Sequence, residues 1–90
     1  MDCNSDLKEE QIDFSTLILS LSSTVLIALG EIPDPDSGKL IEDLCSAKET
    51  IQIIELLQEK TRGNLTSNER ELINSILVDL RLKYVKKSKK

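Results

Sequence analysis

The chain has 90 residues and a formal net charge of −4 at pH 7, from 12 Lys and Arg against 16 Asp and Glu. Five lysines and no acid fall in residues 83–90, so the overall −4 leaves −9 for residues 1–82. This acidic body argues against broad nucleic-acid affinity, and the two aromatic residues are too few for a base-stacking platform. The absence of His removes the usual ligand of zinc sites and the usual base of nucleophilic triads.

Residues 14–30 contain no charged side chain, although both flanks are rich in Asp, Glu and Lys. As a helix, residues 14–29 would rise about 24 Å, which is short of the roughly 30 Å hydrocarbon core of a membrane. Ser and Thr interrupt it, and the acidic residues 1–12 have the wrong charge for the start of a secretory signal. We therefore expect a flexible acidic segment over residues 1–12, no membrane span, and a cytoplasmic protein with reduced cysteines.

The first predicted helix covers residues 13–30, with Asp13 as its N-cap and Gly30 as its stop. Plotted at 100° per residue, one side is a continuous apolar arc that should face the core, formed by Phe14, Leu17, Ile18, Leu21, Val25, Ala28 and Leu29. The opposite side is uncharged and mixes Ser and Thr with Leu19, Leu26 and Ile27. Because a solvated face normally carries Lys or Glu, we expect another protein surface to cover this side.

The second predicted helix covers about residues 41–62, with a start between residues 39 and 44, Asp43 as a plausible cap and Gly63 as its end. Its expected core positions are Leu44, Ala47, Ile51, Ile54 and Leu57. Two further apolar residues, Ile53 and Leu56, fall off that arc and would lie on the surface of a monomer.

The third predicted helix covers residues 66–85 and begins with a capping box formed by Thr66 and Glu69. Its expected buried stripe is Leu72, Ile73, Ile76, Leu77, Leu80 and Tyr84. A smaller second stripe contains Val78, Leu82 and Val85. Residues 86–90 are predicted to be a basic disordered tail.

These elements predict an all-α fold, a compact three-helix domain over residues 13–85. All three helices carry more apolar surface than one three-helix core needs, so we expect a homo-oligomer, with a dimer favoured, or a protein partner. The candidate interface residues are Leu19, Ser22, Ser23, Leu26, Ile27, Ile53, Leu56 and Leu82.

A resemblance to a known family lies in three segments, FSTLILSLSSTVLIALGEIPDP, LLQEKTRGNLTSNE and LVDLRLKYV. They resemble a family of small bacterial proteins catalogued as domain of unknown function 1844. The most specific part of the resemblance combines LGEIPDP, at residues 29–35, with EKTRGNLT, at residues 59–66. It implies a compact, all-helical, bacterial cytosolic protein. The family has no assigned reaction, so the resemblance carries over no catalytic residue.

The residues themselves nominate no catalytic or metal site. Cys45 has no visible base to activate it, so we expect a buried or half-buried thiol. The run Asp34-x-Asp36-x-Gly38 is similar to the start of a calcium loop. However, its Gly is one position early, and Cys45 stands where the bidentate Glu belongs. We expect no enzyme activity, no metal and no cofactor.

Two function classes follow. The favoured one is a non-enzymatic helical interaction module that self-associates or docks a protein partner through its uncharged second faces. The alternative is a tethering protein whose basic end contacts nucleic acid or anionic membrane through Lys86, Lys87, Lys89 and Lys90. The sequence predicts contact with nucleic acid or membrane only through this end of the chain.

Overall fold

Three α-helices make up the fold in the computed structural model, which describes residues 13–89. They are α1 (Phe14–Ala28), α2 (Leu44–Lys60) and α3 (Ser67–Ser88), and no strand occurs in the described range. Each helix packs against the other two. The all-α, three-helix architecture is thus confirmed. The segment predicted over residues 1–12, and Lys90, lie outside the described residues.

The first two helices begin at aspartate caps. The Asp13 carboxylate accepts a hydrogen bond from the Thr16 N–H at 2.9 Å, and hydrogen bonding from Thr16 holds the pKa of Asp13 below its ordinary value. The Asp43 carboxylate accepts in the same way from the Ser46 N–H at 3.1 Å. This cap fixes the start of α2 at Leu44, the last position of the predicted range 39–44, and the helix ends at Lys60 rather than at the predicted 62.

A capping box starts α3, as the sequence predicts. The Thr66 hydroxyl accepts from the Glu69 N–H at 3.1 Å, and the Glu69 carboxylate accepts from the Thr66 N–H at 2.8 Å. Each side chain therefore satisfies a backbone donor that a helix start would otherwise leave without a partner.

The C-terminus of α1 closes in a Schellman motif around Gly30, which has φ +78°. The Gly30 N–H donates to the Ile27 carbonyl at 3.0 Å, and the Glu31 N–H donates to the Leu26 carbonyl at 2.9 Å. The following connection then returns to the same helix end, because the Asp43 N–H donates to the Ala28 carbonyl at 2.7 Å. The start of α2 is thereby tied to the end of α1.

The third helix continues to Ser88, three residues beyond the predicted end at 85. Residues 86–88 are therefore helical, and the prediction of a disordered tail is wrong for them. Lys is a good helix former, and cations near a helix C-terminus are favoured by the helix dipole. The Lys87 ammonium also lies 4.0 Å from the Glu31 carboxylate, which holds this end of α3 near the end of α1.

The core contains ten buried apolar residues: Ile18, Val25, Ala28, Leu29, Ala47, Ile51, Ile54, Ile73, Leu77 and Leu80. All ten belong to the predicted core arcs. Two predictions for α1 are wrong. Leu17 is 39% exposed, because it lies at the edge of the arc and no neighbouring helix covers it. Leu26, predicted on the outer side, instead packs against the core near the point where the chain folds back at Gly30.

Candidate functional site

An apolar stripe lies on α3 on the side opposite the buried residues of that helix. Val78 is 55% exposed, Leu82 66% and Val85 45%. Their spacing of four and three residues places them on one face of a helix. We call these three residues the α3 outer face. It matches the smaller second stripe that the sequence predicts.

Two shallow hollows border the α3 outer face and meet at Asp79 and Leu82. One has a volume of about 470 Å³ and is lined by Asp79, Leu82, Lys83, Val85 and Lys86. The other has a volume of about 400 Å³ and is lined by Asn74, Ser75, Val78, Asp79 and Leu82. Leu82 therefore projects between two concave regions that a partner side chain can enter.

A groove between α2 and α3 continues this surface, since Val85 also lines it. The groove has a volume of about 330 Å³ and is lined by Lys48, Ile51, Gln52, Glu55, Arg81, Tyr84 and Val85. Sequence reasoning did not identify this groove, because it exists only once α2 and α3 lie side by side. Helical periodicity predicts which face a residue occupies but not which neighbour shares that face.

Two ion pairs lie within this surface. The Arg81 guanidinium donates to the Glu55 carboxylate at 2.9 Å and 3.1 Å and so links α3 to α2. The Lys83 ammonium donates to the Asp79 carboxylate at 2.6 Å, and this hydrogen bond raises the pKa of Lys83. Both acids of the surface are thus paired with a cation.

The predicted interface residues of α1 do not behave as one set. Leu19 is 51% exposed and Ser23 is exposed, whereas Ser22 and Ile27 are half-buried. Leu26 is part of the core packing, as described above. Of this predicted face, Leu19 is therefore the large apolar residue that stays open to solvent.

The predicted interface residues of α2 lie on the outside of the domain. Ile53 is 47% exposed and Leu56 is 55% exposed. The sequence predicts this exposure for a monomer, because both residues fall off the core arc of α2. The connection between α1 and α2 exposes a further apolar pair, Leu40 and Ile41, which sequence reasoning missed because the segment has no helical period.

The basic end of the chain does not present four equivalent lysines. Lys86 and Lys89 are exposed, whereas Lys87 is half-buried beside Glu31. Lys90 lies outside the described residues. The phosphate or lipid contact predicted for this end is untested and stays a prediction.

A polar cleft occurs at the turn between α2 and α3. It has a volume of about 310 Å³ and is lined by Gln58, Arg62, Gly63, Leu65, Arg70 and Asn74. The Gln58 amide donates to the Asn74 side chain, and Arg62 pairs with Glu59. The first contact joins α2 to α3. The second links the last turn of α2 to the turn that follows it.

Cys45 is a free, exposed thiol. The prediction that it is buried or half-buried is therefore wrong, because the first turn of α2 points it away from the core position Ala47. Within residues 13–89 no group of three or more His, Cys, Asp and Glu residues is placed to hold a metal ion. In the same range no helix combines the length and apolar character that a membrane crossing requires.

A family model described as domain of unknown function (DUF1844) matches residues 11–86. No curated protein and no solved structure matches the chain. The matched range includes all of α1 and α2 and α3 up to Lys86. The resemblance carried by the three sequence segments is thus confirmed, and the chain belongs to the DUF1844 family.

Proposed function

We propose that this protein is a small, non-enzymatic helical interaction module in the bacterial cytoplasm. It self-associates, with a dimer favoured, or docks a protein partner through the apolar residues on the outer sides of its helices. These residues are Leu19 on α1, Ile53 and Leu56 on α2, and Val78, Leu82 and Val85 on α3.

The observation that supports this proposal is the exposure of these six side chains while the core is already filled. Each is between 45% and 66% exposed, and none is needed to complete the packing of the ten core residues. Single exposed apolar residues are normal in proteins, but a stripe of three on one helix face is typical of a contact surface. Full burial of one such side chain contributes about 1.5–3 kcal/mol.

The non-enzymatic part of the proposal has separate support. The sequence contains no His, and Cys45 lies exposed at the start of α2 rather than in a hollow beside a base. Nucleophilic catalysis needs a nucleophile and a base within hydrogen-bond reach. The acids that line the hollows along α3, Glu55 and Asp79, are each paired with a cation. Among residues 13–89, the polar cleft between α2 and α3 is lined by no Ser, Cys, Asp or Glu.

Light scattering after size exclusion, over a range of protein concentrations, tests the proposal. We expect a mass above the 10.1 kDa of one chain that rises with concentration. The double variant Ile53→Glu/Leu56→Glu should shift the mass toward the monomer, because charge at a buried apolar contact is costly. The control Leu40→Glu changes a residue that is 64% exposed in the connection between α1 and α2, and it should leave the mass unchanged.

The proposal fails under a clear combination of results. It is contradicted if the wild-type chain stays a monomer at every concentration and, in addition, no protein binds it through a contact that the outer-side variants weaken. A mass that stays above the monomer in the double variant but falls in the control would also contradict it.

A further inference from the structure

We propose that the α3 outer face binds an acidic amphipathic helix of a partner protein. This inference rests on the proposed function and names the partner chemistry for one of its surfaces. It combines three features of that surface, which are its helical stripe, its continuity with the neighbouring hollows, and its unbalanced positive charge.

The shape of the surface fits a helix. Val78, Leu82 and Val85 form a ridge along α3, and the two hollows beside it share Leu82. Ridges of one helix pack into the grooves of another, and apolar residues at spacings of three and four provide the matching ridge. From Asn74 to Lys86 the surface follows α3 for about 18 Å, the length of roughly twelve helical residues.

The charge of the surface is positive although the chain as a whole is acidic. The surface holds the cations Lys48, Arg81, Lys83 and Lys86 and the anions Glu55 and Asp79. Arg81 and Lys83 are already paired with the two acids. Lys48 and Lys86 have no ion pair within residues 13–89, so two positive charges remain beside the apolar stripe.

The unpaired charges of Lys48 and Lys86 favour an acidic helix over a second copy of this chain as the occupant. A symmetric contact of the α3 outer face with the same face of a second copy would add the partner copy's two unpaired lysines to the same interface. The acids that might offset them are already engaged by Arg81 and Lys83. A helix with glutamates beside its apolar stripe supplies the missing negative charge, and it gains from complementary charge at the rim.

The test uses a labelled synthetic peptide of about 18 residues, long enough to form a helix with capped ends. Its middle carries three leucines at the spacing i, i+4, i+7, which form one stripe on the helix. Glutamates lie on both sides of this stripe. A second peptide replaces the glutamates with lysines, and a third replaces the leucines with serines. Fluorescence anisotropy with the full-length protein measures the binding of each. We expect the acidic leucine peptide to bind at least tenfold more tightly than either of the others.

Two variants locate the binding. Leu82→Ser should weaken it about tenfold, the loss expected for one central apolar anchor. Lys86→Glu should weaken it about fivefold at low salt, and less at high salt because ions screen the contact. The matched controls Leu56→Ser and Lys60→Glu, at exposed positions of α2, should bind as the wild type does.

Several results would overturn the inference. One is equal binding of the acidic and basic peptides, and another is wild-type binding by Leu82→Ser. A third is equal weakening by Leu56→Ser. A fourth is a dimer that Leu82→Ser dissociates while the acidic peptide fails to bind, because the occupant would then be a second copy. If the peptide fails while the dimer depends on Ile53 and Leu56, this inference falls and the proposed function stands.

Discussion

Gly30 is the residue on which the connection between α1 and α2 depends. It occupies the left-handed position that ends α1, with φ +78°. A Cβ atom there would lie 2.8 Å from the backbone carbonyl oxygen of Ile41, which belongs to the same connection. Backbone strain and steric conflict therefore coincide at one position. Gly38 has a similar φ of +73° but no atom within 4 Å of such a Cβ, so it isolates the strain alone.

The comparison of Gly30→Ala with Gly38→Ala tests this role. Placing Ala in the left-handed region costs about 1–2 kcal/mol, and we expect Gly38→Ala to lose about that much stability. Gly30→Ala should lose about 2 kcal/mol more, because the Ile41 carbonyl must also move. Urea unfolding followed by circular dichroism measures both free energies. Equal losses would show that the close approach at Gly30 has no energetic weight.

Residues whose role is local were predictable from the sequence. Asp13, Thr66 and Gly30 act on backbone groups within three or four residues, so their neighbours in the chain are sufficient to predict them. Leu26 was not, because its burial depends on where the chain folds back after α1. Cys45 lies off the predicted core arc of α2, so the projection predicts its exposure, and the expected burial rested only on the usual preference of free cysteine for the interior. A helical projection ranks faces but does not place the other helices around them.

At the scale of elements, α3 shows both the strength and the limit of the sequence pattern. Its core stripe and its outer stripe were separated correctly by periodicity alone. Its end was not, because Lys86 to Ser88 have no apolar period to mark them as helix, and the contact of Lys87 with Glu31 joins distant parts of the chain. The groove between α2 and α3 was missed because it also joins residues that are distant in the chain.

Truncation should destabilise the protein strongly in the core stripe of α3 and hardly at all in its outer stripe. Leu77 is 1% exposed, so Leu77→Ala should cost about 2–5 kcal/mol through lost burial and the cavity left behind. Leu82 is 66% exposed, so Leu82→Ala should change the stability of the monomer by less than about 0.5 kcal/mol. Urea unfolding at low protein concentration compares them, where association contributes least. A large loss from Leu82→Ala would mean that this side of α3 packs within the chain.

At the scale of the whole molecule, the domain has a buried apolar core and exposed large apolar side chains on all three helices. The large apolar side chains of the helices that are more than 45% exposed are Leu19 on α1, Ile53 and Leu56 on α2, and Val78 and Leu82 on α3. Under the proposed function, contact with other protein chains covers these side chains.

Amide hydrogen exchange at low micromolar and at millimolar protein tests this claim most directly. Association slows exchange in helices that it covers or stabilises, so we expect the segment of α2 around Ile53 and Leu56 to become more protected at high concentration. The double variant Ile53→Glu/Leu56→Glu should lose that added protection while keeping the pattern of the isolated fold. Identical exchange at both concentrations throughout α1, α2 and α3 would contradict self-association through the outer sides of the helices.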